Sequence, residues 1–153
     1  MTQYENFANV FREHLLSRGY GPRPGASEME IAAFESRHSV RLPDDLREYF
    51  LEVNGTADYP DDLLTIFRPL EDVSPISESL VEGQTVRYFV IADQMISAPD
   101  FAIALGSSPA PYVVRCWSAC RKLEPVSDSF STFVRLFMED PWTVHVHNHA
   151  PPA

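Results

Sequence analysis

His145, His147 and His149 come closest in this chain to a metal-binding pattern. In an extended segment, alternation puts all three imidazoles on one face, and neutral imidazole is a good ligand for zinc, copper or nickel. Residues 142–153, however, contain no Cys, Asp or Glu to complete a site, so adventitious rather than physiological metal binding is expected. Cys116 and Cys120 are separated by three residues, which is not the C-x-x-C spacing of redox and zinc motifs, and they read as one buried and one incidental thiol. The pairs Asp44-Asp45, Asp61-Asp62 and Glu71-Asp72 have the composition of a glycosidase or metal-dependent carboxylate pair. Each falls at a helix start or in a loop, where acids cap helices and keep the surface soluble. A hydrolase or metal enzyme would need a deep pocket with convergent polar groups. The sequence has no G-x-S-x-G elbow, phosphate-cradling glycine loop or H-E-x-x-H helix. With Gly at only six of 153 positions a cofactor loop is poorly supported, and since nothing supplies a nucleophile, base and anion hole together, no cofactor, resident metal or enzymatic activity is expected.

The acids become informative through the element that carries them. From Leu42 to Gly55 the chain reads Leu-Pro-Asp-Asp-Leu-Arg-Glu-Tyr-Phe-Leu-Glu-Val-Asn-Gly. Pro43 suits the first position of a helix, whose N–H goes unused. Asp44 and Asp45 then face the positive end of the helix dipole. Leu46, Tyr49, Phe50 and Val53 follow at helical spacing as one buried stripe. Asn54-Gly55 supplies a stop, and the opposite face carries Asp45, Glu48 and Glu52.

With its neighbours, this stretch resembles the SMI1/KNR4 family of the SUKH superfamily. The similarity rests on a helix with Ile31, Phe34 and Glu35, followed by the Leu-Pro-Asp-Asp-Leu helix and Asn54-Gly55. Tyr88 to Asp93 with Phe101 to Leu105, and Ser129 to Phe133, resemble the remaining core segments, in the family's order, across roughly residues 25 to 138. The resemblance implies an α+β interaction domain. Many bacterial members look like immunity proteins that neutralise a secreted toxin, often a nuclease. It implies no catalytic residues.

The remaining elements follow from local signals. Residues 3 to 18 read as a helix with Phe7, Val10, Phe11 and Leu15 on its apolar face, ended by Gly19. Residues 19 to 25 read as a loop. Ser27 and Glu30 form a capping box for a helix over 28–38, and His38 near its end would ease the negative end of the dipole. Strands are expected at 64–67, 86–92, 101–105, 112–117 and 123–126, with an edge strand and an irregular or helical connection in 69–83. Ser127 or Asp128 would cap a last helix burying Phe130, Phe133, Val134, Leu136 and Phe137, with Asp140-Pro141 as its stop. Helices at both ends of a mainly antiparallel sheet of five to six strands define an α+β fold. Residues 1–141 are expected to form one domain, followed by a His- and Pro-rich tail, 142–153.

Charge narrows the partner. Residues 44–82 hold eleven acids against Arg47 and Arg68, a net of −9 in a chain whose total is −10. Such a field repels nucleic acid and anionic lipid and speeds encounter with a basic protein. The first residues show no secretory signal and no apolar run is long enough to span a membrane, so a cytoplasmic location with reduced thiols is expected. Asp44, Asp45, Glu48, Glu52, Asp58, Tyr59, Asp61 and Asp62 are the candidate partner-binding residues, Tyr59 as an aromatic anchor amid charge. The partner expected is a protein, specifically a basic toxin domain. The alternative is a regulatory or scaffold module recognising a cellular protein unrelated to toxins.

Overall fold

The computed structural model describes residues 7–58, 65–81, 84–94, 100–105, 113–117 and 122–140. The helices are α1 (Phe7–Ser17), α2 (Glu28–His38), α3 (Asp44–Glu52) and α4 (Phe130–Glu139). The strands are β1 (Pro22–Pro24), β2 (Val53–Thr56), β3 (Thr65–Phe67), β4 (Ser74–Val81), β5 (Gln84–Gln94), β6 (Asp100–Leu105), β7 (Val113–Trp117) and β8 (Lys122–Ser127). Tyr59, Asp61, Asp62, Cys120, the side chain of Cys116 and the three tail histidines lie outside the described residues.

The helix ends obey local chemistry, with corrections. In α1, Phe7, Ala8, Phe11 and Leu15 are buried, whereas Val10 is 52% exposed, because the stripe leaves position 10 on its flank. Gly19 takes a left-handed φ of 84°, which lets the Tyr20 N–H reach the Leu15 carbonyl at 3.0 Å. Ser27 and Glu30 form the expected capping box, at 3.0 and 2.8 Å. Glu35 closes the turn into α3 by accepting the Leu42 N–H at 2.8 Å. Pro43 sits at the N-cap of α3, one residue earlier than expected. Ser129, rather than Ser127 or Asp128, caps α4, accepting the Thr132 N–H at 3.1 Å. Leu136 is only partly buried there.

Asn54-Gly55 does not stop α3. The helix ends at Glu52, and Val53 goes straight into extended backbone (φ −137°, ψ 120°) as the first residue of β2. Pairing outweighs the local stop signal: β2 runs antiparallel to β1, with Pro24 opposite Val53 and Pro22 opposite Thr56. The segment read as a loop therefore contributes a strand.

The larger sheet has six strands, all antiparallel. β5 is its centre. One side pairs with β6; the other pairs with β4 along residues 84–90 and with β3 along 92–94. β3 and β4 thus form one edge interrupted by a 3₁₀ turn at Leu70–Asp72. Phe89, Ile91, Phe101, Ile103, Leu105 and Val113 join the helices in the main core. Tyr88, Val90, Ala102, Ala104 and Val114 form a second buried cluster from the alternate positions, so the central strands are apolar on both faces. Phe11 links the layers, its ring 5.8 Å from Tyr49, 5.5 Å from Phe67 and 6.2 Å from Phe137.

Gly55 serves this packing instead of a helix cap. Its φ is 84°, and a Cβ there would stand 2.6 Å from the Pro69 nitrogen and 2.8 Å from the Phe67 carbonyl oxygen. On either side, Asn54 accepts the Leu70 N–H at 2.6 Å and Thr56 Oγ1 accepts the Phe67 N–H at 3.0 Å. Gly55→Ala must both adopt a left-handed conformation and push the 67–69 backbone away. We expect a loss of about 2 kcal/mol or more in urea unfolding; an unchanged midpoint would contradict the close approach.

Candidate protein-binding surface

α3 is held on its inner side by apolar burial and on its C-terminal end by backbone contacts. Leu46, Tyr49 and Phe50 are each 1% exposed. Tyr49 packs against Phe130 of α4 with ring centroids 4.9 Å apart. Burial pushes its phenol far above the ordinary tyrosine range, opposed only in part by the Gly55 backbone. The Ala26 N–H donates to the Phe50 carbonyl at 2.7 Å. The preceding Gly25 lies so close to the Leu51 carbonyl that a Cβ would stand 1.8 Å from its oxygen.

The outer side of α3 carries the candidate acids. Asp44 and Glu48 are exposed and Glu52 is half-buried; at i, i+4 and i+8 they share one face. Asp58 is exposed just beyond β2, its backbone N–H donating to the Tyr20 carbonyl at 2.9 Å. Asp45 is different. One carboxylate oxygen accepts the Leu46 N–H and the other accepts the N–H of Ser131, each at 2.8 Å. Ser131 is in the first turn of α4, where backbone donors lack helical partners, so Asp45 caps a second helix from outside it. The structure therefore brings Asp44, Glu48 and Glu52 onto one surface and commits Asp45 to joining α3 to α4.

Two arginines of residues 44–82 form ion pairs. Arg47 of α3 bonds to Glu28 at the start of α2. Arg68 binds Asp93 through two of its nitrogens, at 2.9 Å, and donates to the Asp72 carbonyl at 3.1 Å. These residues, with Arg23, Thr56 and neighbours in β3, line an open groove of about 410 Å³. Among its described lining residues, the Thr56 hydroxyl accepts the Phe67 N–H. Among the described residues no group of three or more His, Cys, Asp and Glu side chains is placed to hold a metal ion.

His38, in the last turn of α2, also packs against two aromatic rings. Its ring lies 4.6 Å from Phe34 and 5.2 Å from Phe89, and burial, reinforced by Arg37 and Arg87, pulls its pKa below the ordinary histidine value. The unfolded chain thus takes up this proton at a higher pH than the folded one, so the neutral ring favours folding above about pH 6.5 and that contribution fades as pH falls. Arg87 adds a positive charge at the end of α2, donating to the His38 carbonyl at 2.7 Å with its guanidinium 5.6 Å from the Phe89 ring centre.

The described residues thus form an α+β domain in which an antiparallel sheet and its packed helices carry an acidic face on α3 and an open groove beside β3. The sequence profile of the SMI1/KNR4 family (SUKH-1) matches residues 25–136, well over half the chain, and the protein belongs to that family. The match runs from α2 into α4; α1 lies before it, yet contributes Phe11 to the shared core. No curated protein matches the chain significantly. No helix among the described residues is long and apolar enough to cross a membrane.

Sequence reasoning placed Asp45 among the partner-facing acids because its tie to Ser131 spans 86 positions and leaves no local trace. It also passed over the outer face of α2. Apolar residues on both sides of that helix, Ile31 and Phe34 inward and Met29 and Ala33 outward, were the available signal. If Asp45 is structural and Asp44 is surface, Asp45→Ala costs about 2 kcal/mol in chemical denaturation and Asp44→Ala about 0.5 kcal/mol. Equal losses would contradict the division.

Proposed function

We propose that this protein is a cytoplasmic immunity protein that binds a basic toxin domain, of the kind that grips nucleic acid, and blocks its phosphate-binding surface. The observation that carries the reading is the acidic face of α3 in a member of the SMI1/KNR4 family, a family that includes immunity proteins. Asp44, Glu48 and Glu52 stand in a row on a helix fixed from behind, so their charge is presented without a large ordering cost on binding. Asp58 adds to the same field beyond β2. A partner that holds phosphate with lysine and arginine would be drawn to this field, and occupying those cations removes its hold on substrate. Tyr59, Asp61 and Asp62 follow Asp58 directly in the chain and extend the acidic sequence.

The test is co-expression with the polymorphic toxin domain encoded beside the gene. Restored growth and a stable one-to-one complex are expected; a toxin that stays lethal and does not co-purify would overturn the reading. Within such a complex, Asp44→Asn with Glu48→Lys and Asp58→Lys should slow association at least tenfold at low salt and flatten its salt dependence. Asp45 is left intact in that variant because it holds α4. Association unchanged in rate and salt dependence, with the fold intact by circular dichroism, would remove these acids from the interface.

A further inference from the structure

The outer face of α2 carries three exposed apolar side chains, Met29, Ala32 and Ala33. Met29 is 80% exposed, the most exposed of the large apolar side chains described. A single exposed methionine needs no explanation. Here it is followed at i+3 and i+4 by Ala32 and Ala33, both exposed, so one side of the helix presents a continuous apolar strip. Beside the strip opens a cleft of about 130 Å³, with Ala33, Phe34 and Leu70 among its lining and Glu30, Arg37 and Glu71 as its charged members. Apolar centre and charged rim are the two parts of an interface hot spot, and methionine is the side chain that best adapts to a partner's shape.

We infer that this strip and cleft form the apolar centre of the partner interface, receiving an aliphatic or aromatic side chain from a protein whose surrounding surface is basic. The inference rests on the proposed binding of a basic partner and adds where the affinity resides. Charge complementarity selects that occupant. Glu30 and Glu71 outnumber Arg37 around the cleft, and the Arg47–Glu28 pair joins the start of α2 to α3, whose acid row continues the same field. The cleft is small enough for one side chain. The acids set the rate of encounter and the apolar centre sets the residence time. Both helices are positioned independently of the partner, α2 by its capping box and α3 by its buried face.

The experiment is site-specific photo-crosslinking in the protein's native cells with benzoylphenylalanine at positions 29, 33 and 48, and at position 10 as a control on another exposed apolar site. The captured protein is then produced separately and its affinity measured against wild type, Met29→Glu and Val10→Glu. The expected result is that 29 and 33 cross-link to one basic stretch of a single partner, that Met29→Glu raises Kd at least tenfold, and that Val10→Glu leaves it unchanged. Met29 is exposed enough for its substitution to leave the fold intact, which an unchanged melting temperature verifies. Cross-linking from 29 and 33 to a second copy of this chain would overturn the inference in favour of self-association. Capture from 48 without capture from 29 and 33 would overturn the apolar centre while leaving the acidic reading standing; capture from none of these positions would remove both.

Discussion

The structure depends on the burial of one face of a nine-residue helix. Leu46, Tyr49 and Phe50 of α3 sit where α1, α4 and the sheet converge, and Phe11, Phe67, Phe130 and Phe137 close around them. A helix this short has little stability of its own, since nucleation is costly and few intrahelical bonds offset it. Tertiary contacts supply what length does not. Each end is tied to a distant segment, through Asp45 to the first turn of α4 and through the Phe50 carbonyl to Ala26. The segment after it, from Asn54 to Thr56, anchors the 67–70 backbone by two hydrogen bonds and a glycine-dependent close approach.

This arrangement separates two roles that the sequence runs together. The same nine residues hold the core with one face and offer charge with the other, and the division falls between neighbours: Asp44 faces solvent while Asp45 is committed to α4. A charged face backed by a rigid core loses little freedom when a partner docks, which is the economy expected of a preorganised binding surface. α2 adds the complementary chemistry. Its inner residues Ile31 and Phe34 fix it to the core, while Met29, Ala32 and Ala33 leave an apolar strip beside the acids. In the proposed complex, long-range attraction and short-range burial would come from adjacent helices.

How much of this was legible in the sequence depends on the range of the interaction. Patterns settled within one turn or one strand read correctly: the capping box of Ser27 and Glu30, Gly19 after α1, the apolar run of β5 and the inward residues Phe130, Phe133 and Phe137 of α4. Features decided by distant residues did not. Asn54-Gly55 carries a strong helix-stop signal, but pairing with residues 22–24 turns it into a strand. The bond from Arg87 to the end of α2 joins residues 49 positions apart and is invisible to a local reading. Asp45 reads as surface charge until Ser131 is placed beside it. The acidic concentration was plain from counting, yet which acids point outward required the fold.

The most direct test of the central claim, that the outer faces of α2 and α3 together grip a basic protein, is methyl and amide NMR shift mapping of the labelled protein titrated with the basic toxin domain proposed as its partner. The account predicts large shifts for the Met29, Ala32 and Ala33 methyls and for the amides of 44–52, with β8 unaffected. Shifts centred on the outer strands β4 and β8, with the α2 methyls and the α3 amides unmoved, would contradict it.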